Sequence, residues 1–302
     1  MPATSHFRNC LLLMPLFCLS GFSQQAKTTP TIYKTATFEY TTLQVPGSSS
    51  TFATGVNNNG DIVGYYISAG TYYPFLYTGG TYQTIPCGND ADPYGINDNG
   101  VIVGFGNIPE ITKLGNQMAA FTYQNGNCSY LIYKKWAYTT LKGINNQGVA
   151  VGEGFNGPAT NGTGFVNSNG GFTALPVFTI PGGINNANTI AGTHCNPKTA
   201  VCNGRVVYQV NGWKKPTQVK YQDSAYTNLT AINDNDEVVG IWGSQSVQQQ
   251  SFVYSIATKT FTNFDVEGSV SSEPLGINNS GEIVGWYYDG TNYHGFYGYL
   301  SQ

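Results

Sequence analysis

Charged side chains are scarce in this sequence. Among 302 residues there are 13 Lys and Arg and 16 Asp and Glu, so charge makes up 10% of the chain, against roughly 25% in an ordinary soluble protein. The formal net charge is −3 and no basic cluster occurs, which excludes nucleic acid and anionic membranes as partners. With so few Lys, Glu and Arg, and with Gly and Asn everywhere, a helical protein is excluded as well. Histidine occurs only as His6, His194 and His294, and beyond Arg8 the only arginine is Arg205. No GxSxG, HExxH or Walker motif is present. The short Gly-rich stretches open no helix, so they cannot cradle a phosphate. No cofactor is expected.

Long apolar runs are missing too, with one exception. Cys10 to Phe22 is a run of 13 residues behind Arg8, too short for a span of about 20. It reads as a signal peptide over residues 1–23, with the mature chain starting near Gln24; an uncleaved N-terminal anchor is the alternative. Pro15-Leu16-Phe17 before Cys18 makes a poor lipobox. No later segment could cross a bilayer, so no membrane span is expected once the signal is removed. Of six cysteines, Cys10 and Cys18 leave with the signal. An even remainder in an exported chain suggests disulfides. Cys195 and Cys202, on either side of a short Asn-Pro loop, are the best pair; Cys87 and Cys128 are expected to be free or not paired with each other.

What is abundant is glycine (38), tyrosine (22) and asparagine (30), in a chain that is 40% hydrophobic. One phrase recurs six times, from Gly55 (GVNNNGDIVG), Gly95 (GINDNGVIVG), Gly143 (GINNQGVAVG), Gly183 (GINNANTIAG), Ala231 (AINDNDEVVG) and Gly276 (GINNSGEIVG), at intervals of 40, 48, 40, 48 and 45 residues. Each copy parses into four strands: one before the Asn pair, one after the tight turn, one carrying an aromatic (Phe75, Phe121, Phe165, Phe252, Phe296, with Val206 in the fourth copy), and an outer one. A four-strand period of this length is that of a propeller blade. The last copy lacks its outer strand, and an orphan strand, Phe38 to Gly47, precedes the first. The expectation is an all-β, six-bladed β-propeller of four-stranded antiparallel blades over 36–302, its ring closed by an N-terminal strand completing the last blade, behind a flexible segment 24–35. An open stack of six repeats is the rival, disfavoured because closure hides sheet edges.

The GINNxGxIVG phrase followed by a small residue and Phe resembles the HAF family of bacterial extracellular repeats, named for a His-Ala-Phe triplet. His294-Gly295-Phe296 matches best; Ala119-Ala120-Phe121, Thr163-Gly164-Phe165 and Gln250-Ser251-Phe252 keep the Phe and lack the His. Tyr73-Pro74-Phe75 departs further, and Gly204-Arg205-Val206 loses the Phe. The resemblance covers the mature chain. It implies export from a bacterium and a repeat fold, and it implies no activity.

Candidate site residues follow from the strand map. Aromatics with polar tips gather at the ends of the second strands and in the loops after them; Tyr66, Phe105, Trp242, Trp286, Tyr287 and Tyr288, with His294, would suit sugars or peptides on one face. The competing reading is packing between blades, since alternate residues of each strand must point into an interface. The available acid/base candidates are Glu153, which stands where other copies place Tyr65, Phe105 or Trp286, and Asp289 with His294. The Asn/Asp turns invite a calcium reading, with Asp234, Asp236 and Glu237 the best placed, but carboxylates are too few and Asn caps turns without a metal, so no metal is expected. The function expected is a secreted, periplasmic or cell-surface binding or scaffold module, monomeric, for a glycan or an extracellular protein. An extracellular polysaccharide lyase or glycosidase is the alternative.

Overall fold

The computed structural model describes residues 31–301 except 89, 108–117, 134–135, 157–161, 176–179, 197, 200, 210–214, 223 and 245–247; the expected signal segment 1–23 lies outside the described residues. Among the described residues every regular element is a strand, and no helix is long and apolar enough to cross a membrane.

Each repeat folds as four antiparallel strands. The first holds β3 (Ser50–Val56), β4 (Ile62–Ser68), β5 (Thr71–Thr78) and β6 (Thr81–Thr84). The second holds β7 (Ala91–Ile96), β8 (Ile102–Asn107), β9 (Met118–Gln124) and β10 (Asn127–Leu131). The third holds β11 (Tyr138–Ile144), β12 (Ala150–Phe155), β13 (Thr163–Ser168) and β14 (Gly171–Leu175). The fourth has β15 (Ile180–Ile184), β16 (Thr189–Cys195), β17 (Cys202–Tyr208) and the short β18 (Thr217–Val219); the fifth has β19 (Tyr226–Ile232), β20 (Glu237–Gly243), β21 (Gln250–Ser255) and β22 (Thr260–Phe264). The sixth supplies β23 (Ser271–Ile277), β24 (Ile283–Tyr288) and β25 (Tyr293–Leu300), and its outer strand is β2 (Phe38–Leu43), paired antiparallel with β25 from Phe38↔Leu300 to Leu43↔Gly295.

Three expectations need correcting. Six separate sheets are not found: four sheets are four-stranded, and the fourth and fifth repeats share one nine-stranded sheet, because Cys202 at the start of β17 bridges in parallel to Tyr226 at the start of β19. That sheet also carries β1 (Ile32–Thr35), parallel to β22, within the stretch expected to be flexible; Tyr33 stacks on Phe261 and meets the edge of Tyr221. Finally, Cys87 and Cys128 are disulfide-bonded to each other, as are Cys195 and Cys202. The link from β6 to β7 carries Cys87 into the same buried cluster as Ala91 and Phe121, and Cys128 of β10 packs on that cluster from the outside.

The core runs between sheets rather than within one. Val284 of the sixth repeat packs with Phe75 of the first, Val63 with Phe121, Val103 with Phe165, and Val239 with Phe296. Each such Phe is at most 1% exposed and removes about 1.5–3 kcal/mol worth of side chain from water. The fourth repeat departs here, and not in the way the sequence suggests: register places Arg205, rather than Val206, opposite Gly192, where the others set Phe opposite Gly.

The turn and its glycines have separate causes. The fourth residue of each Asn-Asn turn is left-handed: Gly60, Gly100, Gly148 and Gly281, with Asn188 and Asp236 in the two copies that lack Gly. Asn and Asp are the side chains that tolerate this conformation best after Gly. The glycine ending each phrase serves a close approach inside its own sheet. A Cβ at Gly152 would strike the carbonyl of Thr140, one strand inward. Just beyond that carbonyl lies a β-bulge, which recurs at the same place in all six inner strands, between Ala53 and Gly55, Pro93 and Gly95, Leu141 and Gly143, Pro181 and Gly183, Leu229 and Ala231, and Pro274 and Gly276.

Candidate functional site

The inner strands surround an axial channel, and its narrow mouth is built from the Asn pairs. The first Asn of each pair is buried, and its Oδ1 accepts from the backbone N–H groups two and four residues on, as Asn145 does from Gln147 and Val149 at 3.1 and 3.0 Å. Its Nδ2 donates to the carbonyl of the corresponding Asn in the next repeat. These bonds run Asn57 to Asn97 to Asn145 to Asn185 to Asn233 to Asn278 and from Asn278 back to Asn57, at 2.9–3.2 Å. A second closed circle lies outside the first: the backbone N–H of Asn58, Asp98, Asn146, Asn186, Asp234 and Asn279 each donates to the side-chain oxygen of the next member. Burial pushes the Asp98 carboxyl up, but amide donors from Asn146 and Asn58 outweigh it and hold the group below its ordinary value. The cavity between these rings is about 70 Å³.

The residues best placed for calcium lie in this structure as hydrogen-bond acceptors. Asp234 takes the amides of Asn186 and Asn279, Asp236 that of Asn185, and Glu237 that of Asn233. Among the described residues no group of three metal-ligating side chains occurs.

Beyond the narrow mouth the strands close to a waist of Gly55, Gly95, Gly143, Gly183, Ala231 and Gly276, where a Cβ on Gly95 would stand 3.0 Å from Cα of Gly143. The opposite mouth is wide, with a cavity of about 240 Å³. Bulges re-aim side chains, and here the bulged residues Thr54, Tyr94, Lys142, Gly182, Thr230 and Leu275 all line the bowl. Thr54 and Thr230 spend their hydroxyls on the next repeat, donating to the carbonyls of Pro93 and Pro274 at 2.6 Å. The polar and aromatic part of the remaining wall comes from Tyr65, Glu273, Asn228, Thr193 and Trp286, and Ile180, Pro181 and Leu229 complete it. Phe52 stacks on Tyr65 at 4.8 Å and meets Trp286 at 6.2 Å; Tyr94 stacks on Phe105 at 5.5 Å. The Nζ of Lys142 stands 3.6 Å from the centre of the Tyr94 ring and 4.8 Å from that of Phe105.

Three carboxylates share the field of this lysine. Asp92 and Glu273 are the register partners of Phe105 and Trp286, and Glu153 is that of Thr140. Burial raises Asp92 to about 6 and Glu273 to about 7, and it raises Glu153; Lys142 opposes each rise without cancelling it. The charged form of each is therefore under-solvated. Among the described residues the only ion pair within 4 Å is that of His294 with Asp289.

Of the sequence candidates, Glu153, Phe105 and Trp286 belong to this mouth or its lysine. The others lie elsewhere. Tyr66 stacks on Tyr73 at 5.2 Å, and Trp242 stacks on Tyr221 at 3.9 Å while its Nε1 donates to Asn263. The Tyr287 hydroxyl bonds Thr42 and its ring stacks on His294; the Tyr288 hydroxyl donates to the carbonyl of Gly290. His294 bonds Gln44 through Nδ1 and Asp289 through Nε2 at 3.0 Å. Backbone N–H groups of Asn292 and Thr291, then His294, pull the exposed Asp289 down to about 2, which suits a loop brace rather than a proton carrier. Lys142, Asp92, Glu273 and Tyr94 were missed. For Lys142 and Tyr94 a signal was present: the residue just before the phrase is Thr, Tyr, Lys, Gly, Thr or Leu, although the phrase itself is nearly invariant.

Fold and channel together make this chain a β-propeller with four-stranded antiparallel blades. No protein-family profile matches the chain, and no curated protein matches it by sequence. Its structure is similar to that titled a putative TolB from Agrobacterium tumefaciens, with TM-score 0.53 and 13% identity over 73% of this chain and 82% of that one. Slighter likenesses are to TolB from Acinetobacter baumannii (TM-score 0.49, 10% identity, 70% of this chain and 53% of that one) and to the β-propeller domain of the Trilobed protease from Pyrococcus furiosus (TM-score 0.45, 10% identity, 83% and 81%). At these identities the likeness concerns the fold alone.

Proposed function

We propose that the chain is an exported, monomeric, six-bladed propeller of the HAF repeat type that binds a glycan or an extracellular protein at the wide mouth of its channel, without catalysis. In the nine-stranded sheet, a single bridge between Cys202 and Tyr226 joins two otherwise complete four-stranded units; counted as two blades, they bring the number to six. Two disulfides support an oxidising compartment. The observation that carries the binding reading is the bulge. All six copies keep the same backbone irregularity, and the bulged residue, which is Thr, Tyr, Lys, Gly, Thr or Leu in turn, lines one bowl walled in part by aromatics. A constant frame that presents a variable lining is the arrangement of a recognition site.

One observation favours the second reading, an enzyme acting on polysaccharide. Glu273 and Asp92, held at about 7 and about 6, titrate where a general acid or base is useful. A glycan array and a screen of extracellular protein extracts with the purified chain test the first reading. Retention of a glycan or protein that is lost on Trp286→Ala supports it; the absence of any retention refutes it. Release of shortened or unsaturated sugars, abolished by Glu273→Gln, would install the enzyme in its place.

A further inference from the structure

We propose that the wide mouth is a site for an organic cation, taking a ligand that presents a protonated amine. This inference rests on the binding reading above and names the chemistry of that ligand. Glu273 of the sixth repeat lines the cavity with Lys142; Asp92 holds in the second repeat the position that Glu273 holds in the sixth, and Glu153 holds in the third the position of the lining Trp286, so three carboxylates are set around one lysine and their full ionisation leaves two negative charges in excess. None of the three lies within 4 Å of that ammonium. An anionic ligand would meet this imbalance as repulsion, and a neutral one would leave it standing.

The wall already holds an ammonium. Lys142 sits over the Tyr94 and Phe105 faces at cation–π distance. Glu273 and Asp92 belong to the repeats on either side of the first, whose Phe52–Tyr65 stack presents a further aromatic wall between them. The hydrogen-bond account agrees. Asp92 Oδ1 and Asn228 Oδ1 are buried without a partner, and both are acceptors. Asn228 lines the cavity from the fifth repeat, and Asp92 holds the same position in the second, two residues before the lining Tyr94. A buried acceptor without a donor costs stability until something supplies the proton, so the occupant that completes this mouth is a donor, and the carboxylates select a charged one.

A protonated amine reaches such a mouth from an amino sugar or from a lysine side chain, and two pairs of probes distinguish these sources. Titration calorimetry at pH 7 and low salt compares the glucosamine dimer with its N-acetylated form, and Nα-acetyl-lysine amide with its Nε-acetylated form. The charged member of at least one pair should bind at least tenfold more tightly than its acetylated twin, and the responding pair identifies the source. Glu273→Gln should weaken that binding about tenfold, whereas Lys142→Met, which removes the resident cation, should strengthen it. Opposite signs from two substitutions in one cavity separate charge recognition from damage to the fold, and a melting curve for each variant confirms that it is folded. Equal or tighter binding of the acetylated sugar overturns the cation proposal and leaves the glycan reading intact. A shift of affinity in the same direction for both variants also overturns it, and the absence of binding by any probe removes it.

Discussion

Replacing Glu273 by Gln should stabilise the protein, and only above a definite pH. The carboxyl has an ordinary value of 4.5 and is raised to about 7 in the folded chain, chiefly by burial. The folded state therefore binds the proton more tightly than the unfolded state does. Below pH 4.5 the group is protonated in both states and has no effect. Between 4.5 and about 7 stability falls as pH rises, and above 7 the full cost is present. At about 1.4 kcal/mol per pH unit that cost is about 3 kcal/mol, or roughly 5–10 °C in Tm for a chain of this size. Asp92, raised to about 6, adds a loss of the same sign that begins lower, near pH 4; His194, lowered by burial and by Arg205, works in the opposite direction near its ordinary 6.5. The difference between wild type and Glu273→Gln isolates one group from the others. Thermal melts followed by circular dichroism at pH 4.5, 6, 7.5 and 9 should show the two proteins converging at the acid end and the variant higher by several degrees at pH 7.5 and 9. A variant less stable than wild type at pH 9 would refute the assignment of Glu273 to an under-solvated mouth.

Further expectations concern the frame. Asn145→Ala strands two backbone donors and two acceptors at once and should cost about 3 kcal/mol or more in a urea titration; a loss below about 1 kcal/mol would mean that the Asn circle is ornamental. Gly152→Ala drives a Cβ into the Thr140 carbonyl and should cost several times the roughly 1 kcal/mol expected for Gly60→Ala, where there is open space and only a left-handed backbone to strain; equal costs in denaturant melts would contradict the close approach of the two strands. Removing the Cys87–Cys128 bridge, with a separation of 41 residues, should cost about 4 kcal/mol, and removing Cys195–Cys202, with a separation of 7, about 2.5. The reverse order in paired Ala variants would contradict the loop-entropy account.

The repeat made most of the architecture legible, because its period, its turn residues and its glycines all reflect backbone constraints that each copy must meet alone. Asn-Asn-x-Gly announces a left-handed turn wherever it occurs, so strand boundaries followed directly. The orphan strand from Phe38 was readable for the same reason: it resembles the outer strand missing from the sixth copy. Properties arising between copies were hidden. The Cys87–Cys128 bridge depends on where a linker crosses the next sheet, which no local pattern records. The bulge was invisible because it changes register without changing the phrase, and Lys142 and Tyr94, which line the mouth, are the residues that it leaves without a partner across the ladder. Aromatic clustering at strand ends does not by itself tell the two faces of a strand apart. Trp286 and Phe105 immediately follow the constant Gly and belong to the mouth, whereas Tyr66 and Tyr287 are one residue further on, and strand alternation turns them to the other face.

The account stands on the circle of repeats being closed by β2 on β25. Glu39 and Tyr299 are exposed register partners on those strands, and the four described cysteines are held in disulfides. A Glu39→Cys, Tyr299→Cys double variant treated with a short dithiol-reactive linker, digested and analysed by mass spectrometry, reads the closure directly. Peptides containing positions 39 and 299 linked within single molecules are the predicted result; failure to link, or linkage only between molecules, would contradict a closed ring and with it the shared mouth.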